Sequence, residues 1–306
     1  MPQPTLRTSR RRAHLSLITA LLAIAATGCG QERAIAVNQM NEGLAAIKTG
    51  STADAVEKLK EATKTDATFA DPPYYLGQIY DQKYSQPVEA EKYYQMALAR
   101  DPKHPQFHYR LGSVLATRGK HDDALRHFDE ATGPQPTFAK AWFRKGLSQI
   151  QLKRYHDAAL SLMAAIKADP QLIMSKDDRG GAHYHALGDL YVRFHLYDHA
   201  EQVYANGLKN NPGAHRLAHG LGVAYLQQKK WKEAADAFGK AAKLDPSMAT
   251  THFNRMIALK EAGEPKAALE SLEQFINRAN AAEDSVRIAA ASGLRQELQA
   301  QLKEKP

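Results

Sequence analysis

Small residues recur along this chain at an almost constant spacing, and this repetition constrains its fold more than any other feature. One column consists of Gly43, Gly77, Gly112, Gly146, Gly188 and Gly222, with Met256 in the seventh place. Most steps between neighbours are 34 or 35 residues, and the step from Gly146 to Gly188 is 42. A period of this length indicates stacked copies of one supersecondary unit and not a pair of ordinary globular domains.

Two further columns keep the same step. Alanines form one of them, at Ala55, Ala90, Ala124, Ala158, Ala200, Ala234 and Ala268. Large residues follow each alanine by four positions, at Leu59, Tyr94, Phe128, Leu162, Tyr204, Phe238 and Leu272. Two helices approach closely only where the facing residue is small, and large neighbours fill the remaining space. Each unit is therefore expected to be a pair of antiparallel helices, with the glycine on the first and the alanine on the second.

Prolines end most units, at Pro102, Pro136, Pro170, Pro212 and Pro246, since proline cannot continue a helix. The period and the columns resemble the tetratricopeptide repeat (TPR), a helix-turn-helix unit. The resemblance implies an all-α fold, a right-handed TPR superhelix (α-solenoid) of about seven repeats. Over residues 36–280 we place the repeats at 36–69, 70–104, 105–138, 139–172, 181–214, 215–248 and 249–280.

Two segments interrupt or follow the repeats. Residues 173–180 are an insertion whose polar, Gly-containing sequence indicates a loop. The insertion is either a tolerated extra turn, which we favour, or a joint between a four-repeat half and a three-repeat half. Residues 281–306 are expected to form a C-terminal capping helix, because Val286, Leu294, Leu298 and Leu302 recur there at helical spacing.

The N-terminal sequence has the layout of an export signal. Four arginines between Arg7 and Arg12 precede an apolar run from Leu15 to Ala26, which is shorter than the roughly 20 residues of a membrane-spanning helix. The small residues before Cys29 resemble the bacterial lipobox, in which the cysteine is lipidated. Residues 1–28 are therefore predicted to be a signal peptide, Cys29 the lipidation site, and 29–35 a tether.

The residue after the cysteine is Gly30 and not the Asp that commonly marks inner-membrane retention. The lipobox resemblance thus implies an outer-membrane lipoprotein facing the periplasm, with another membrane-anchored extracytoplasmic location as the alternative. Removing residues 1–28 lowers the formal net charge of +8 by four. The remaining surplus shows no basic stripe, so nucleic acid is not expected as a partner.

No phosphate-binding loop, nucleophile elbow or HExxH pattern occurs, so we expect neither catalysis nor a cofactor. Histidine is abundant, and the pairs His195/His199 and His215/His219 have the i, i+4 spacing that can suit zinc. A third ligand is not evident in the sequence. A packing or solvated role is therefore favoured over metal binding.

The TPR resemblance implies that a protein or peptide partner lies along a concave groove lined by the first helices. Fifth-position residues of these helices, usually exposed to the groove, are Tyr74, Tyr109, Phe143, His185, His219 and Phe253. Adjacent candidates are Gln78, Arg110, Arg144, Leu147, Asp189, Arg193 and Val223. The alternative is that the rings are packed between repeats, but the arginines favour a wet groove for an apolar peptide carrying negative charge.

Two functions fit an anchored array of this kind. The first is a scaffold or assembly factor for an envelope machine, similar to the TPR lipoproteins that act as pilotins for pili or secretion systems. The second is an adaptor that recruits peptidoglycan enzymes or proteases to the envelope. Binding of a metal or small ligand through the histidines ranks below both.

Overall fold

The computed structural model of the chain describes residues 30–174, 180–282 and 284–304. The predicted signal peptide and Cys29 lie outside these residues. Over the described ranges the chain forms fifteen helices and no strand, which confirms the expected all-α fold. None of these helices combines the length and the apolar character needed to cross a bilayer.

The helices follow one another as pairs joined by short turns, and a single helix ends the series. Helix α1 is described from residue 30 to 49. It is followed by α2 (Thr52–Thr65), α3 (Asp71–Gln82), α4 (Pro87–Arg100), α5 (Pro105–Thr117), α6 (His121–Thr132), α7 (Ala139–Gln151), α8 (Tyr155–Ala168), α9 (Ala182–Arg193), α10 (Tyr197–Asn210), α11 (His215–Gln227), α12 (Trp231–Leu244), α13 (Ala249–Glu261), α14 (Pro265–Ile276) and α15 (Ser285–Glu304).

The glycine column marks the closest approach of the two helices in a pair. A Cβ atom placed on Gly188 of α9 would lie 2.4 Å from the ring of Tyr204 on α10. The corresponding distance is 2.7 Å from Gly222 to Phe238. Because real Cβ atoms do not come this close to a ring, only glycine fits at these positions, and the large residue of the second helix fills the space that it leaves.

The chain divides into two compact units between Pro134 and Gln135. The first unit contains α1 to α6, and its second-helix residues Leu59, Tyr94 and Phe128 are fully buried. The second unit contains α7 to α15 and continues the same construction with Leu162, Tyr204, Phe238 and Leu272.

The insertion at 173–180 lies within the second unit and does not separate two halves. Leu172 before it packs in one cluster with Phe143 and Leu187, so repeats four and five share a core. After it, the side chain of Asn211 donates a hydrogen bond of 3.0 Å to the carbonyl of Pro170. The alternative of a joint at this position is therefore wrong.

The final helix, α15, contacts α14 through only part of the predicted stripe. Ala291 and Leu298 are buried and Leu294 is half-buried against the same cluster. Val286 is 82% exposed and Leu302 is 37% exposed, so these two residues do not serve the packing expected of them. Val286 lies five residues before Ala291, about 140° around the helix, which turns it away from α14.

Candidate functional site

A cavity of about 720 Å³ opens in the second unit. Its walls come mainly from α7, α9 and α11, the first helices of three successive predicted repeats. Six of the predicted groove residues line it: Phe143, Arg144, Leu147, His185, Asp189 and Arg193. The structure therefore brings this part of the predicted groove together in one place.

One wall of the cavity is apolar. Its accessible part consists of Leu147 and Ile150 of α7 and Met174 of the insertion, which are half-buried, because Leu190 of α9 and Leu217 of α11 are only 5% and 1% exposed. Phe143 also lines the cavity, but its ring is only 7% exposed, so it forms the base of the wall more than a contact surface. This wall suits the aliphatic side chains of an extended peptide.

Three arginines supply the polar side of the cavity: Arg144, Arg193 and Arg216. Arg144 is half-buried, and its buried Nε atom has no hydrogen-bond partner among the residues that the structure describes. The guanidinium of Arg193 lies over the ring of Tyr155, 5.1 Å from the ring centroid. Arg216 is exposed. Within the described parts of the chain, none of the three guanidinium groups has a carboxylate in ion-pair range.

Asp189 is the only acid among the described residues that line the cavity, and neighbouring side chains already engage it. Its carboxylate accepts a hydrogen bond of 2.6 Å from the hydroxyl of Tyr204 and faces Nδ1 of His185 at 3.0 Å. Burial raises the pKa of Asp189, but the hydrogen bonds and the charge of His185 outweigh it and hold that pKa below its ordinary value. Asp189 thus stays ionised without neutralising the arginines, and the cavity favours an anionic ligand.

Sequence reasoning missed Ile150, Met174, Leu190, Arg216 and Leu217. Ile150 lies one turn beyond Leu147 on the same face of α7, so helical spacing was a usable signal for it. Arg216 occupies the second position of α11, whereas the repeat pattern assigns exposure to the groove to the fifth position of each first helix. Met174 lies within the insertion, where the repeat pattern gives no register.

The groove rings predicted in the first unit are buried, which corrects the expectation that they are open to a groove. Tyr74 is 8% exposed and Tyr109 is 6% exposed. The ring of Tyr74 packs on Phe107 of the following repeat, with centroids 4.7 Å apart. Arg110 lies over the ring of Tyr109 at 5.7 Å, and Gln78 is half-buried. Packing between repeats explains the burial of Tyr74.

The two remaining fifth-position residues, His219 and Phe253, do not line the cavity. Nδ1 of His219 lies 2.9 Å from the hydroxyl of Thr251, and its ring meets Phe238 edge-on. Phe253 packs edge-on against Phe275, with centroids 5.0 Å apart. Both side chains therefore contact neighbouring helices, and their role in binding a partner stays a prediction.

The histidines considered for metal binding each have a different partner. His195 lies in the turn between α9 and α10, with Nδ1 2.6 Å from the hydroxyl of Tyr197. The ring of His199 lies near Tyr191, and Nε2 of His215 is 3.6 Å from Asp245. In the portions of the chain that the structure describes, no three His, Cys, Asp or Glu side chains are grouped to hold a metal ion.

Comparison with known proteins supports the same architecture. The anaphase-promoting complex subunit 3 of Schizosaccharomyces pombe is 25% identical over 181 residues, covering 58% of this chain and 26% of that protein. The match thus spans about a quarter of that relative's length. The solved structure of pilF from Pseudomonas aeruginosa has a TM-score of 0.57 at 19% identity, covering 72% of this chain and 94% of that one. The structure of YrrB, described as a TPR protein with an unusual peptide-binding site, has a TM-score of 0.50 at 18% identity, covering 61% of this chain and 92% of that one.

The model of the tetratricopeptide repeat family matches residues 85–137, 117–173 and 185–249, which together are about half of the chain. These matches fall on the helix pairs described above and include the helices that line the cavity. The chain therefore belongs to the tetratricopeptide repeat family, whose arrays are scaffolds for protein–protein interaction.

Proposed function

We propose that this chain is an envelope scaffold whose cavity in the second unit holds an extended peptide segment of a protein partner, with acidic and aliphatic residues in alternation. The observation that carries the proposal is the combination of three arginines and an aliphatic wall in one cavity, with Asp189 already engaged. A guanidinium group binds a carboxylate through two parallel hydrogen bonds. The aliphatic wall would take the intervening side chains. The peptide-binding site named for YrrB supports this kind of ligand.

The expected result of removing two of the arginines is a large loss of affinity for an acidic peptide. The probe is a fluorescein-labelled peptide of alternating Leu and Glu, measured by polarisation against a matched peptide of Leu and Gln. Hydrogen bonds to charged groups are each worth about 1.5 to 3 kcal/mol, so Arg144→Gln with Arg216→Gln should weaken binding by about 100-fold.

The matched control removes the same charge elsewhere in the unit. Lys167 and Lys243 are exposed on α8 and α12, away from the cavity, and Lys167→Gln with Lys243→Gln should change affinity by less than threefold. Equal losses in both double variants would mean that net charge and not the cavity determines binding. Equal affinity of the wild-type chain for the Glu and Gln peptides would reject an acidic ligand.

We further propose that lipidated Cys29 anchors the scaffold to a bacterial membrane, namely the outer membrane, where it faces the periplasm. Cys29→Ala should release the chain from the membrane fraction without changing its thermal melt, because Cys29 precedes the repeat helices. The measurement is fractionation after lysis, together with a mass determination of the N-terminus that excludes uncleaved signal. Recovery of the processed variant with membranes would show that the lipobox prediction is wrong.

Two envelope roles remain to be separated. The first is an assembly factor for a pilus or secretion machine, and the alternative is an adaptor for peptidoglycan enzymes or proteases. Affinity capture from solubilised envelopes, comparing the wild-type chain with the Arg144→Gln/Arg216→Gln variant, distinguishes them. Pilus or secretin subunits lost from the variant would favour the first role, and lost cell-wall hydrolases or proteases the second.

A further inference from the structure

The turn inside every helix pair contains one residue with a left-handed backbone, two positions before the second helix begins. These residues are Gly50, Ser85, Gly119, Lys153, His195, Lys229 and Gly263, with φ angles from 53° to 89°. The next residue closes the turn; for example, the amide of Arg154 donates to the carbonyl of Gln149 at 2.8 Å. Glycine is the usual residue for such a helix end because it adopts positive φ without steric cost.

Three successive turns of the second unit depart from this preference. Lys153, His195 and Lys229 occupy the left-handed position with φ angles of 60°, 58° and 59°. A side chain with a Cβ atom is strained in this conformation. Lys153 and Lys229 are exposed, and no described carboxylate lies in ion-pair range of either. The two strained lysines gain no ion pair within the described part of the fold, which points to a use outside it.

Contacts between neighbouring turns join these positions into one surface, which we call the turn edge and define as residues 153–155, 194–197 and 229–231. The rings of Tyr155 and Phe194 meet edge-on with centroids 5.2 Å apart. The side-chain amide of Gln228 donates to the carbonyl of Tyr197 at 3.4 Å. The three turns therefore lie side by side.

The turn edge exposes apolar side chains between its cations. Phe194 is 47% exposed and Leu196 is 45% exposed, and Trp231 at the start of α12 is half-buried. The nearby acid Glu201 is engaged by Lys230 at 2.8 Å and by Gln228 at 3.0 Å.

Other acids stand in the first turns of the helices that follow the turn edge: Asp157, Asp198 and Glu233. These acids follow the left-handed residues in the sequence and lie at the helix N-termini, where carboxylates are favoured. The tips of the turns consequently carry cations and exposed apolar groups.

We infer that the turn edge is a docking surface for a lipid bilayer with anionic headgroups. Aromatic and aliphatic side chains flanked by lysine are the composition of membrane-interface segments. Flexible lysines on turn tips match the diffuse charge of a headgroup layer better than a single carboxylate, which the arginine-lined cavity already suits. The surface lies outside that cavity, so the inference goes beyond the proposed peptide binding and does not depend on it.

The test uses the two tryptophans of the chain as position probes. The full chain is reconstituted with vesicles containing a headgroup-nitroxide lipid, based either on phosphatidylglycerol or on phosphatidylcholine. Trp142→Phe leaves Trp231 at the turn edge. Trp231→Phe leaves Trp142, which lies eleven residues before Lys153 and so about 16 Å away along the helix direction. With phosphatidylglycerol, emission from Trp231 should be quenched and emission from Trp142 should not; with phosphatidylcholine, quenching of Trp231 should be weak.

Two double variants, made in the Trp142→Phe chain, separate charge from folding. Lys153→Gly with Lys229→Gly removes both charges and both strained side chains, so it should raise Tm by a few degrees while abolishing most of the quenching. Lys153→Gln with Lys229→Gln removes the charges and keeps the strain, so it should lose the quenching at unchanged Tm. One lysine near an anionic surface changes the partition between membrane and water by about fivefold. Each double variant should therefore lower the ratio of docked to undocked chain by about 25-fold.

Three results would overturn the inference. Equal quenching of Trp142 and Trp231 would mean that the chain contacts the bilayer without presenting the turn edge to it. Quenching that persists in both double variants would mean that Lys153 and Lys229 do not bind the turn edge to the bilayer. Absence of quenching at Trp231 in anionic vesicles would leave an acidic protein as the occupant. None of these results bears on the peptide measurements, so the two proposals fail separately.

Discussion

Gly188→Ala is expected to destabilise the second unit by about 3 kcal/mol, at the upper end of the usual cost of overpacking a core. The new Cβ atom would lie 2.4 Å from the ring of Tyr204. The ring cannot retreat, because a Cβ atom on Gly220 would lie 2.5 Å from the same ring. Its hydroxyl is also bonded to Asp189 at 2.6 Å. Urea unfolding with hydrogen exchange measured in α9 reports the loss.

Gly239→Ala is the matched control. Both glycines lie inside helices, so both substitutions gain the helix propensity of alanine, up to about 1 kcal/mol. The nearest atom to a Cβ on Gly239 is Nε of Arg255 at 3.5 Å, an ordinary contact, so this variant should be neutral or stabilising. Tyr204→Leu should recover part of the loss when combined with Gly188→Ala. Similar stabilities of the two alanine variants would contradict the close helix approach described for the glycine column.

The helix pairs could be predicted from the sequence because their cause is local. Each glycine of the column faces a large residue sixteen or seventeen positions later, as Gly188 faces Tyr204 and Gly77 faces Tyr94. A short connection brings the two helices together, so the small and large residues must recur in step. The hydrophobic spacing of α15 was less informative, since Val286 belongs to the pattern and yet points away from α14.

The groove was predicted only where the side chain's surroundings follow from its own helix. Arg144 and Leu147 lie on the face of α7 that lines the cavity. The burial of Tyr74 depends on Phe107 in the next repeat, and the fifth-position rule carries no information about that contact. The lysines of the turn edge were missed although the signal was present, because they occupy the same repeat position as Gly50, Gly119 and Gly263.

Acid is expected to destabilise the second unit through His219. Its pKa is about 4, because burial disfavours the imidazolium and nearby His185 and His215 add to the effect, while Asp189 opposes it. An unfolded histidine has a pKa of about 6.5, so the unfolded chain takes up the proton first as the pH falls. The stability linked to His219 is therefore fully present above pH 6.5 and lost progressively between pH 6.5 and pH 4.

His219→Asn should remove this share of the acid sensitivity. Asparagine keeps a polar atom for Thr251, which lies 2.9 Å from Nδ1 of His219, and it does not titrate. From the two pKa values the wild-type chain should lose about 2 kcal/mol between pH 7 and pH 5 that the variant retains. The pKa values of His127 and His252 are also lowered by burial, so the variant keeps some acid sensitivity of its own.

The measurement is the free energy of unfolding at pH 7, 6 and 5, compared between the wild-type chain, His219→Asn and the exposed-histidine control His199→Asn. The control should follow the wild-type chain at every pH. Parallel losses in wild-type and His219→Asn would mean that His219 is protonated in the folded state as easily as in the unfolded one. Because His219 lies on α11, a helix of the cavity wall, the same loss would loosen α11 against α13 and reduce peptide binding at low pH. The glutamates of the probe peptide remain largely ionised at pH 5, with an ordinary pKa of about 4.3, so a matching fall in affinity would be traced to the helix and not to the ligand.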